Sequence, residues 1–165
     1  MKELELFLHG IGPDNLKLVR VDEDASIADV LKIAENAGLL SGMSVESCEI
    51  FFEENDAPAD KSHRLRQLGI KHRSHLVCHH CKKIEVSVFY NESKAERFSP
   101  TTKVGHVLRW AIKAFGLSGD TTKDMVLRLE GSNDDLPNDA RLGSLVKYPH
   151  CHLKLILVVH VLVEG

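Results

Sequence analysis

The sequence predicts an α+β fold used twice, as two tandem domains that each lay one helix across a small sheet. Three observations predict it. Short runs with the two-residue alternation of a half-buried strand recur between turn residues. Each half carries one stretch with the apolar stripe of a helix, and both stretches stop on Gly-Leu. The landmarks also repeat at a near-constant offset: Gly38 and Gly116 lie 78 residues apart (116 − 38), Leu65 and Leu142 lie 77 (142 − 65), and Leu76 and Leu153 lie 77 (153 − 76). Identities between the halves are few, so what repeats is the pattern. Two units of about 80 residues are each large enough for a small core. The expected boundaries are 1–80, 81–158 and a tail, 159–165.

In the first half, Leu4, Leu6 and Leu8 alternate with Glu3, Glu5 and Phe7, and the turn residues of 10–15 separate this strand from a second at Leu16 to Val21. Ser26, with Asp29 three residues on, has the form of a short capping box. Ile27, Val30, Leu31 and Ala34 follow at helical spacing, and Gly38-Leu39 is a helix stop. Strands are expected at Cys48 to Phe52 and from Ser74 to Cys78, with the irregular stretch 55–68 between them. The second half repeats this order. Strands are expected at Lys83 to Tyr90 and Ala95 to Phe98. A helix capped by Thr101 or Thr102 then carries Val104, Val107, Leu108, Ala111 and Phe115. Further strands are expected at Met125 to Leu129 and His152 to Leu157. The join at 80–83 has no Gly, Pro or Ser, so the domains are expected at a restricted angle rather than on a flexible tether.

Composition narrows the function classes. A hydrophobic share of 43% across 165 residues belongs to a folded chain. A net charge of −3 with a pI near 6.4 lacks the basic excess of a general nucleic-acid binder, so nucleic acid is not expected as a partner. The opening MKELELFLHG alternates from its start, so no signal peptide is expected. No apolar run approaches the roughly 18 residues of a membrane span, so no membrane association is expected. The four cysteines, Cys48, Cys78, Cys81 and Cys151, are too few for a disulfide scaffold, which leads to the expectation of a reducing cytoplasm.

No enzymatic motif is present: no GxGxxG, no phosphate loop, no GxSxG and no HExxH. Neither catalysis nor a cofactor is expected. Cys78-His79-His80-Cys81 has the residue types of a zinc knuckle, which needs a tight turn so that both thiolates converge on one ion. With Cys78 on a strand, positions i and i+3 point to opposite faces. The competing reading makes Cys78 and Cys81 small apolar side chains of a strand and a linker. Most of the ten histidines are expected at the surface. Trp110 stands one position off the helix stripe, either at the edge of the core or in a contact between domains or partners.

A hairpin, a helix, a third strand, an irregular stretch with Leu-x-x-Leu and a last strand is the order of the β-grasp fold. The second half is similar to ubiquitin at LRLEG (Leu127 to Gly131), DARLGSL (Asp139 to Leu145) and HLKLIL (His152 to Leu157), with a tail ending in Gly165 after them. Two such units resemble the interferon-induced tandem ubiquitin-like modifier of vertebrates. They resemble still more the tandem ubiquitin-like proteins of bacterial antiphage (Bil) operons. The resemblance implies mixed sheets and a modifier that is itself no enzyme. It is activated at Gly165 and joined to targets by an activating and a conjugating enzyme, and removed by a metalloprotease. Phage structural proteins are among the implied targets. Val161, Leu162, Val163 and Glu164 would contact the partner enzymes. The tail departs from ubiquitin in being apolar, with Glu164 rather than a second glycine before the end. Arg128 stands where ubiquitin has the central isoleucine of its binding patch, and Phe51 holds that place in the first half. Phe51, Arg128 and Trp110 are candidate interaction residues, with local packing the competing reading for Phe51. A non-covalent adaptor is the alternative function. A sulfur carrier shares the fold, but those carriers are single domains ending in two glycines.

Overall fold

The computed structural model describes residues 2–12, 15–52 and 55–160. It contains two mixed four-stranded sheets, each with one helix, in two tandem β-grasp domains. In the first, β1 (Glu3–His9) and β2 (Leu16–Asp22) form an antiparallel hairpin. Helix α1 (Ile27–Asn36) crosses the sheet, and β3 (Glu49–Phe52) and β4 (His75–His79) complete it in the order β2-β1-β4-β3. β1 and β4 are the parallel pair at its centre. In the second, β5 (Ile84–Tyr90), β6 (Glu92–Phe98), α2 (Val104–Ala114), β7 (Met125–Leu129) and β8 (His152–Val159) repeat this arrangement as β6-β5-β8-β7.

The 77-residue offset reaches down to single hydrogen bonds. Ile27 N–H donates to His63 O, and Val104 N–H donates to Ala140 O, so donors (104 − 27) and acceptors (140 − 63) are both 77 apart. Ala28 to Lys61 and Gly105 to Asn138 repeat it. In each domain the irregular segment thus supplies carbonyls to the first turn of the helix, where N–H groups have no partner within the helix. Ser26 does cap α1, in a capping box with Asp29. Neither Thr101 nor Thr102 caps α2: the N-cap position falls on Lys103, whose ammonium has no lone pair to accept a capping bond from the first turn. Thr101 Oγ1 instead pairs with Ser99 Oγ at 2.9 Å. β6 begins at Glu92, earlier than expected, because Asn91 takes a left-handed φ of 61° and closes a tight turn.

Each domain has its own core. Leu4, Leu6, Val30, Leu31, Ile50 and Leu76 lead the first, and Ile84, Val86, Val107, Leu127 and Leu155 the second. Cys48 and Cys78 are buried free thiols in the first core. Burial pushes the Cys78 thiol up to about 12, with the neighbouring Cys48 adding to the rise. Cys81 belongs to the second core and is bonded to Cys151, so Cys78 and Cys81 share no site and the zinc knuckle does not form from them. The sequence counted too few cysteines for a disulfide scaffold; one disulfide nevertheless forms, across 70 residues.

His79 corrects a second expectation, for it is fully buried. Its Nδ1 accepts a hydrogen bond from Cys81 N–H at 2.9 Å, which places the proton on Nε2, and Nε2–H donates to Gly143 O at 3.1 Å. The last residue of the first sheet thus plugs into the second domain, where a Cβ on Gly143 would lie 3.0 Å from the imidazole. Ser99, Pro100 and Thr101 of the second domain are buried although they lie in a connecting segment.

Candidate functional site

The residues that lead into the C-terminal tail form a defined cluster. β8 pairs with β5 in parallel and with β7 antiparallel, so the strand that precedes the tail lies inside the second sheet rather than at its edge. At its base His160 N–H donates to Asp124 O at 2.6 Å. The His160 ring lies 2.6 Å from Asp135 Oδ2 through Nδ1, and Asp135 Oδ1 accepts from Arg128 Nε–H at 2.7 Å. Asp135 therefore joins strand β7 to the start of the tail. The hydrogen bond and charge of Arg128, with help from His160, hold its carboxyl below the ordinary carboxylate range. A depressed carboxylate contributes above its ordinary pKa of 3.8, and that contribution is lost only as pH falls below it. The Arg128 Nε–H resonance is expected to titrate with a midpoint below 3.8, and Asp135→Asn should remove the transition. A midpoint at or above that value would show that the pair does not form in solution.

The outer face of the second sheet, away from α2, is partly apolar. Phe89 is 50% exposed and pairs with Ile156, which pairs in turn with Arg128. A shallow groove of about 440 Å³ runs here, lined by Ser87, Phe89, Ser93, Lys154 and Ile156 among others.

The residues singled out from the sequence fall in different places. Arg128 is half-buried and engaged with Asp135. Trp110 packs on the second core, edge-on to Phe98 at 5.6 Å between ring centres. Phe51 is not on an exposed patch: it is fully buried, on the face of β3 opposite Ile50. Val161, Leu162, Val163, Glu164 and Gly165 lie outside the described residues, as does the expectation that the tail is held by apolar contact. Sequence reasoning missed Asp135, His160 and Phe89. Phe89 was legible in principle, as an aromatic on the solvent side of an alternating strand. The pairing of Asp135 with Arg128 and His160 had no local signal.

The family described as BilA ubiquitin-like domain 2 matches residues 85–160. No curated protein matches the chain. Among solved structures, the ubiquitin-like domain of an Arabidopsis thaliana protein is similar at 14% identity and a TM-score of 0.40, covering 47% of this chain and 77% of its own. Ubiquitin of Caldiarchaeum subterraneum is similar at 17% identity and a TM-score of 0.38, covering 50% of this chain and 99% of its own. Among the described residues, no helix is long and apolar enough to cross a membrane.

Proposed function

We propose, from the match of the BilA ubiquitin-like domain 2 family to residues 85–160, that this chain is a tandem ubiquitin-like protein of the Bil type, a protein modifier activated at Gly165 and conjugated to target proteins in antiphage defence. The family match carries the reading. The anchored base of the tail supports it, since His160 is held on the second domain by Asp124 and Asp135.

The chemistry lies with partners. In an activating enzyme the Gly165 carboxylate attacks the α-phosphate of ATP, pyrophosphate leaves, and an acyl-adenylate forms. A cysteine thiolate displaces AMP to give a thioester. A target amine then displaces the thiol, forming the amide and returning the proton to the thiolate. Each step needs the chain end within about 3–3.5 Å of a reacting centre in a narrow channel. Glycine suits this, having no Cβ and the widest choice of backbone angles. The partners are an activating enzyme, a conjugating enzyme, a deconjugating metalloprotease and the targets.

Incubation with activating and conjugating enzymes, ATP and a target should give an adduct whose intact mass is the sum of the two proteins less one water. Removing Gly165 should abolish it. Adduct formation unchanged by that truncation would overturn the modifier reading. A non-covalent adaptor, which the exposed Phe89 face favours, would then take its place.

A further inference from the structure

The Cys81–Cys151 pair sits in surroundings that a structural disulfide does not need. Cys81 lies in the segment between β4 and β5, and Cys151 immediately precedes β8, so both are at one end of the central parallel pair. Both backbones are pinned there: Glu85 N–H donates to Cys151 O at 2.9 Å, and Cys81 N–H donates to His79 Nδ1. Breaking the S–S bond would leave the two sulfurs as neighbours.

His80 faces them. Its Nε2 lies 3.3 Å from Cys81 Sγ, with only a long 3.4 Å contact to Pro149 O besides. Its Nδ1 is buried without a hydrogen-bond partner. The ring is held in place, stacked on His79 at 4.8 Å and edge-on to Tyr148 at 5.1 Å. This imidazole is fixed and poorly satisfied beside a sulfur. The ligand atoms of His79, His80 and Cys81 all lie within 4.8 Å of one another. His79 is no ligand, because Cys81 N–H and Gly143 O occupy both of its nitrogens. Tetrahedral zinc, with Zn–S near 2.3 Å and Zn–N near 2.0–2.1 Å, sets a sulfur and a nitrogen ligand roughly 3.5 Å apart. The existing separation of 3.3 Å is close to that.

We propose that reduction of Cys81–Cys151 creates a binding site for a thiophilic divalent cation, zinc in the first instance, whose ligands are the Cys81 and Cys151 thiolates and His80 Nε2, with a fourth position open to water. A dithiol reductant supplies two electrons and two protons to the S–S bond and leaves as its own disulfide. Zinc then displaces the two thiol protons. Disulfide and metal exclude each other, since a sulfur bonded to sulfur is not a thiolate. Each closes the same link between the domain junction and the last strand, one under oxidising and the other under reducing conditions.

The test uses the full chain, reduced with a phosphine that is removed before zinc ion alone is added without oxygen. Native mass spectrometry should show one zinc on the reduced chain and none on the oxidised chain, with two protons released per zinc. Cobalt in place of zinc should give a thiolate charge-transfer band in the reduced chain only. Cys81→Ser and Cys151→Ser should each abolish the band, and His80→Ala should weaken zinc binding at least about tenfold. The Cys48→Ser/Cys78→Ser variant should retain the site, because neither thiol lines it. A reduced chain that takes up no zinc, whether it stays folded or fails to refold when zinc is added, would overturn the proposal. So would an equal cobalt band in the oxidised chain, or one that survives loss of Cys81 and Cys151.

Discussion

His79→Ala is expected to destabilise the protein by roughly 3–5 kcal/mol and to uncouple its two domains. The substitution strands two buried backbone groups, Cys81 N–H and Gly143 C=O, each costing about 1–3 kcal/mol when left unpaired. It also leaves a void where the imidazole meets Gly143. Trp110 is the chain's single tryptophan and lies on the second core, so its fluorescence follows that domain alone, while circular dichroism follows both. In urea the two signals should coincide for the wild type and separate for the variant. Coincident transitions with a loss under about 1 kcal/mol would show that the plug does not couple the domains.

The same residue sets an acid limit. Burial, with a smaller contribution from neighbouring His80, pulls His79 down from 6.5 to about 4. In the fold it stays neutral, because a proton on Nδ1 would meet Cys81 N–H head-on, whereas the unfolded chain protonates below about 6.5. The unfolded state therefore binds more protons between these values, and stability is full above 6.5 and falls as pH drops toward 4. The loss across that window is on the order of 3 kcal/mol. His79→Gln should flatten the dependence; a profile unchanged by the substitution would assign it to other groups.

Phe51→Ala is expected to cost about 3–5 kcal/mol, against at most about 0.5 kcal/mol for Phe89→Ala. The two residues differ only in what covers them. Ile50 and Cys78 pair across β3 and β4 and both enter the first core, so the next pair, Phe51 and Val77, turns to the other face. That face is not open: Phe51 has no exposed surface and Val77 almost none, though neither belongs to a domain core. His79 follows Val77 by two positions and so shares this face, where it docks on Gly143. Phe89 stands on the outer face of the second sheet with half its surface exposed. Urea denaturation of both variants measures the contrast. Equal losses would contradict the burial seen here, and a Phe89→Ala variant that is stable but fails to bind a partner would locate a docking face.

The sequence by itself determined the elements and their duplication. The alternation of Leu4, Leu6 and Leu8, the Ser26–Asp29 box and the stripe of Val104, Val107, Leu108 and Ala111 each depend on residues within a few positions of one another. Periodicity and capping report such local relations directly. The recurrence of Leu65 at Leu142 and of Leu76 at Leu153 carried the rest, because two units built alike must place equivalent residues alike. Tertiary structure alone decided what depends on two segments meeting. Alternation gives Phe51 a face but does not say whether solvent or protein lies over it. His79 is buried only because its strand ends against the second domain. Cys81 finds Cys151 across 70 residues because β5 and β8 are parallel neighbours, and Asp135 finds Arg128 and His160 because β7 lies beside β8. Such pairings arise from the path of the chain through space, and no spacing along the sequence encodes them.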